Sequence, residues 1–85
     1  MQDNPRQIEG LAVEETDEGY IIYEPEKDRV HYLNATAALI LELCNGTNSI
    51  AEIANLVQEA YHLPDTPAQT VQDTLTQMRD EGLLQ

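Results

Sequence analysis

Cations are scarce in this chain: Arg6, Lys27, Arg29 and Arg79 face 16 carboxylates, for a formal net charge of -12. Phosphate backbones and anionic lipid surfaces are repelled by such a balance, so neither nucleic acid nor membrane is an expected partner. Cysteine is scarcer still. With Cys44 alone, a disulfide framework and a cysteine-rich zinc site are excluded within one chain, which fits a reducing compartment. No run of about 18 apolar residues exists, and the opening MQDNPRQIEG lacks the apolar stretch of a signal peptide. The expectation is a soluble, cytoplasmic protein. Also missing are a nucleophile with its base, a metal-ligand cluster and a phosphate loop, so no catalytic residue, metal or cofactor is expected. His31, His62 and Cys44 have no ligand spacing. At 85 residues the chain is long enough for one modest core and too short for a cleft between two lobes.

What is present reads in two halves. Residues 1–7 contain Asn4-Pro5 and are mostly polar, which predicts a loose tail ahead of one domain over 8–85. Ile8 to Glu15 alternates around Leu11 and Val13 as a short half-buried strand. Thr16-Asp17-Glu18-Gly19 supplies a turn, Tyr20 to Tyr23 a second strand, Pro25 to Asp28 another turn and Arg29 to Leu33 a third strand. The first 33 residues therefore predict a three-stranded antiparallel meander.

At Asn34 the period changes to that of helices, with the Asn34 side chain placed to cap the first of them, about Ala35 to Leu43. Leu39, Ile40, Leu43 and Cys44 mark its apolar side, and Asn45-Gly46 ends it. Ser49-Ile50-Ala51-Glu52 is a capping box opening a second helix, striped by Ile50, Ile53, Ala54, Val57 and Tyr61. Pro67 occupies the first position of a third, striped by Val71, Leu75 and Met78 and ended by Gly82. Two α+β architectures satisfy this order: a winged helix-turn-helix with its wing first, or a small bundle capped by a sheet. The first is favoured because three narrow stripes and one sheet face can share a common centre.

Several of these pieces together resemble the PqqD family of peptide chaperones, also called RiPP recognition elements. They are Gly19-Tyr20-Ile21-Ile22-Tyr23-Glu24-Pro25, Val30-His31-Tyr32-Leu33-Asn34, Ala37 to Gly46, Ser49 to Ile53 and Gly82-Leu83-Leu84, covering roughly 11–84. The resemblance implies a non-catalytic protein that binds the leader segment of a ribosomally made precursor peptide. It also implies presentation to a modifying enzyme, such as a radical SAM enzyme, or to a lasso-peptide leader peptidase.

An edge strand in a meander offers unpaired N–H and C=O groups to another extended chain. The resemblance implies that the third strand, Arg29, Val30, His31, Tyr32 and Leu33, is the edge used. A groove between it and the third helix would select side chains. Its helical wall is expected from Thr74, Met78 and either Gln77 or Arg79, with Leu75 a further candidate contact. Val30, Leu33, Leu75 and Met78 are core residues first, touching a ligand with their margins. Tyr32 either stacks on a leader side chain or packs beneath the helices. His31 reads as structural or exposed, and Arg29 and Arg79 either hold acidic leader residues or offset local repulsion.

A DNA-binding winged helix shares the helix order, yet Asp73, Asp80 and Glu81 outnumber Arg79 on the third helix, leaving no phosphate-positioning cations. The remaining alternative is an acidic interaction or adaptor module that uses the same edge to form a homodimer.

Overall fold

Three strands, β1 (Ala12–Thr16), β2 (Gly19–Glu24) and β3 (Arg29–Leu33), precede three helices, α1 (Ala35–Leu43), α2 (Ile50–Tyr61) and α3 (Ala68–Asp80), in the computed structural model, which describes residues 4–85. The strands are antiparallel in the order β1-β2-β3. Both β1 and β3 are therefore edges of an open sheet, and the expected order of three antiparallel strands followed by three helices is the one present.

Hairpin register decides what each edge offers. The two-residue loop Asp17-Glu18 closes on Thr16 opposite Gly19, a pair that exchanges its backbone hydrogen bonds. Such pairs alternate along antiparallel strands. Gly19, Ile21 and Tyr23 accordingly bond to β1, and Tyr20, Ile22 and Glu24 bond to Leu33, His31 and Arg29. The N–H and C=O of Val30 and Tyr32 are left pointing outward. Gly19 is required at the turn: its φ is +149°, and a Cβ there would stand 2.6 Å from the Leu33 carbonyl oxygen.

Side chains divide by the same alternation. Tyr20, Ile22, Glu24, His31 and Leu33 face the helices, while Ile21, Tyr23, Val30 and Tyr32 face away. Tyr32 is 79% exposed. It does not pack beneath the helices.

The first strand is shorter than expected. Gly10 has φ +84°, and the chain before it pairs elsewhere: Ile8 N–H donates to Leu83 O at 2.9 Å and Gln7 N–H to Cys44 O at 2.8 Å. Only Leu11 of this stretch packs against the core, and β1 itself is exposed along its length. Of the residues expected as a tail, 1–3 lie outside those described. Arg6 and Gln7 form isolated bridges with Asn45 and Leu84, and Gln85 N–H donates to Arg6 O at 2.8 Å.

Local signals set the helix ends. Asn34 Oδ1 accepts from Ala37 N–H at 2.8 Å. Ser49 Oγ accepts from Glu52 N–H at 3.1 Å while Glu52 Oε1 accepts from Ser49 N–H at 2.8 Å. Pro67 stands one position earlier than expected, as the N-cap of α3 rather than inside it. Gly82 ends α3 at φ +79°. Leu83 N–H reaches Met78 O and Gly82 N–H reaches Arg79 O at 2.9 and 3.0 Å, the Schellman pattern that satisfies terminal carbonyls.

The core gathers Ile22 from the sheet, Ile40, Leu41 and Cys44, Ile53, Ala54 and Val57, Val71, Leu75 and Met78, and Leu83. Leu39 and Leu43 pack at its margin, and Ile50 and Tyr61, at the two ends of the α2 stripe, are exposed. Cys44 Sγ donates to Ile40 O at 3.1 Å. Burial pushes its thiol up to about 11, so little thiolate forms near neutrality. Alkylation by iodoacetamide at pH 8 is expected to run roughly 100-fold slower than for an exposed thiol and to recover on denaturation. Fast labelling of the folded chain would contradict this burial.

Candidate functional site

The outward backbone groups of Val30 and Tyr32 lie on the side of β3 away from β2, which no other strand among the described residues covers. Beside this edge a cleft of about 290 Å³ lies between the end of β3, the start of α1 and one side of α3. Leu33, Ala37 and Met78 supply apolar lining, and Asn34, Thr36, Thr70, Thr74 and Gln77 supply hydrogen-bonding groups. Thr70, Thr74, Gln77, Met78 and Glu81 follow one another at helical spacing, so a single side of α3 faces the cleft. Thr74 Oγ1 donates to Thr70 O at 2.8 Å, which holds its methyl and hydroxyl in place.

The structure sorts the expected residues. Leu33, Thr74 and Met78 line the cleft, and Gln77 rather than Arg79 completes the helical wall. Burying Val71, Leu75 and Met78 fixes the rotation of α3 and turns Arg79 outward. Leu75 is 4% exposed and serves the core. Val30 and Tyr32 contribute outward backbone and side chains on the far face of the sheet. Ala37, Thr36 and Thr70 line the cleft without a signal in the sequence that singles them out, although Thr70 falls four residues before Thr74 on the same helical face.

Arg29 and His31 do not line the cleft; both meet Glu81, the lining residue at its end. His31, with a 9% exposed side chain, puts Nε2 3.1 Å from Glu24 Oε2 and Nδ1 3.4 Å from Glu81 Oε2. Since a carboxylate only accepts, one tautomer serves Glu24 and the imidazolium serves both. Arg29 Nε lies 3.4 Å from Glu24 Oε2, and its guanidinium donates to Glu81 O at 3.0 Å. This cluster joins β2 and β3 to the C-terminal cap of α3. Lys27 stands nearby, its Nζ beside Gly82. Among the described residues no group of three or more His, Cys, Asp or Glu side chains is placed to hold a metal ion.

The hydrogen bond from His31 holds the Glu24 carboxyl below its ordinary range; burial opposes this, and Arg29 and Lys27 add to it. A carboxyl depressed in the folded state stabilises above its unfolded pKa, and that contribution disappears as pH falls through the folded value. Stability is therefore expected to drop below about pH 4.5. The gap between the parent and Glu24→Gln, measured by urea unfolding, should narrow over the same range. A gap constant from pH 7 to pH 3 would remove Glu24 from the account.

The free side of β3 and the cleft beside α3 together mark this module of three strands followed by three helices. The family model for coenzyme PQQ synthesis protein D (PqqD) matches residues 19–84, and the chain belongs to that family. Two solved structures share the fold. A lasso peptide synthetase B1 complexed with a leader peptide is 24% identical, with a TM-score of 0.76 over 96% of this chain and 98% of that one. The PqqD truncation of Methylobacterium extorquens PqqCD, described as a stand-alone RiPP recognition element, is 23% identical, with a TM-score of 0.71 over 95% and 87%. No curated protein sequence is significantly similar to the chain. Among the described residues no helix is long and apolar enough to cross a membrane.

Proposed function

We propose that the chain is a non-catalytic leader-peptide chaperone that takes an extended leader segment onto β3 and presents the rest of the precursor to a processing enzyme. The observation that carries this reading is the pair of outward backbone positions, Val30 and Tyr32, alongside a cleft lined by Leu33, Ala37, Thr74, Gln77 and Met78. Alternate side chains of an added strand would enter the cleft, and those between them would lie beside Val30 and Tyr32. The cleft suits one or two aliphatic side chains, with threonine, asparagine and glutamine groups oriented for hydrogen bonding rather than acid–base chemistry. Family membership and the fold shared with a leader-bound lasso peptide synthetase B1 support the same reading. A radical SAM enzyme and a lasso-peptide leader peptidase are the partner enzymes that fit it.

Titration of ¹⁵N-labelled protein with synthetic leaders of precursors encoded beside its gene tests the proposal. Amide shifts are expected at Val30, Tyr32, Leu33, Thr74, Gln77 and Met78. Shifts confined to other elements would overturn it, as would light scattering that shows a tight homodimer through β3 which no leader binds or dissociates.

A further inference from the structure

A second concavity, of about 560 Å³, lies beneath β1 and shares no lining residue with the β3–α3 cleft. Ile22 and Leu41 form its buried floor, and Val13, Tyr20, Leu39 and Tyr61 are among its walls. Val13 is 57% exposed and Tyr61 42%, so apolar side chains reach solvent from both sides. Such a surface resembles the apolar centre of a docking groove more than the rim of a core.

Charge identifies what would cover it. Glu42 lines the groove. Glu15 pairs with Tyr20, sharing its sheet face with Val13, and Glu59 directly precedes the lining residue Ala60. No lysine or arginine occurs in β1, the Asp17-Glu18 turn, α1 or α2. Arg29 donates to Glu81 O, Lys27 stands beside Gly82 and Arg79 is on α3, while Arg6, which directly precedes the lining residue Gln7, packs its side chain beside Gly46. His62, the cap of α2, is the nearest basic side chain in sequence to the groove's Ala60-Tyr61 end. A second copy would bring the same carboxylates and another net charge of -12, which disfavours self-association through this face.

We propose that this groove docks a segment of a partner protein, apolar along one side and flanked by lysine or arginine. The surface is separate from the leader site, so both ligands can be held at once.

The test uses the full chain, labelled with ¹⁵N, and two model peptides: an amphipathic leucine–lysine sequence and its leucine–glutamate counterpart. The lysine peptide is expected to give saturable shifts at Val13, Tyr20, Ala38, Leu39, Glu42 and Tyr61, weakened but not abolished by salt. Ala38→Phe fills the groove and Glu42→Lys reverses its charge; each should lower affinity at least about tenfold with leader affinity unchanged. If Ala38→Phe fails to fold, Glu42→Lys carries the test. Shifts at β3 and α3, shifts spread over every carboxylate, equal binding of the glutamate peptide, or no binding would overturn the proposal. So would a homodimer disrupted by Ala38→Phe. Normal leader binding with no lysine-peptide binding would sink this inference and leave the leader site standing; the reverse would sink only the leader site.

Discussion

Tyr32→Pro is expected to weaken leader binding at least about tenfold, a loss of about 1.4 kcal/mol, while moving the melting temperature by no more than a few degrees. The outward direction of the Tyr32 N–H is what separates the two effects. Proline removes a donor that β2 does not use, and edge strands tolerate proline where the missing N–H faces solvent. The leader loses that hydrogen bond, worth about 0.5 to 1.5 kcal/mol, and keeps a carbonyl with no partner. His31→Pro is the contrasting change. Its N–H bonds inward to Ile22, opposite it in the register, and its imidazole joins Glu24 to Glu81. That variant should unfold or melt far lower, making its binding defect uninformative. Calorimetric titration beside a melting curve separates the pair; equal melting losses for both would contradict the hydrogen-bond alternation assigned to β3.

Gly19→Ala should destabilise the fold by at least about 2 kcal/mol, a fall in melting temperature of roughly 8 to 16 °C for a domain of this size. Two costs combine. The backbone at φ +149° is one that L side chains rarely adopt, and the new methyl would meet the Leu33 carbonyl oxygen at 2.6 Å. The nearest atoms, from Leu33 and Asn34, are all backbone, with no flexible side-chain end that can swing aside. Relief must come from displacing the end of β3, where Leu33 also lines the cleft, so leader affinity should fall along with stability. Urea unfolding measures the first effect. Stability unchanged by this substitution would mean that the hairpin and β3 are less closely apposed than described.

These two sites differ in how far the sequence reveals them. The junction from Val30 to Ala38 is local: β-branched and aromatic residues, then Asn34, then an alanine-rich run, and strand, cap and helix follow in that order. The Ser49–Glu52 box and Gly82 are equally local, which is why those helix ends are legible. The path of residues 5–8 is not. Its hydrogen bonds run to Cys44, Gly46 and Leu83, partners too distant in the chain to leave a short-range pattern, and the alternation around Leu11 and Val13 imitates a longer half-buried strand.

The cleft shows a subtler limit. Helical spacing identifies the buried stripe of α3, but choosing between Gln77 and Arg79 requires knowing where β3 stands around that helix. The cluster of Glu24, His31 and Glu81 was partly within reach. A four-residue turn from Pro25 to Asp28 sets Arg29 opposite Glu24 and His31 diagonal to it. Glu81 enters only through the packing of α3. The exposed face of Tyr32 follows from the same hairpin alternation once Ile22, which pairs with the neighbouring His31, is known to face the helices.

Hydrogen exchange at four backbone amides tests the central claim most directly. Val30 and Tyr32 N–H point away from β2 at one edge, and by the same alternation Val13 and Glu15 N–H point away from β2 at the other. In the free protein all four should exchange rapidly. With saturating leader peptide, the account predicts strong protection of Val30 and Tyr32 and none of Val13 or Glu15. Protection of the β1 pair alone, or no change at Val30 and Tyr32 in a demonstrably bound complex, would contradict strand addition at β3.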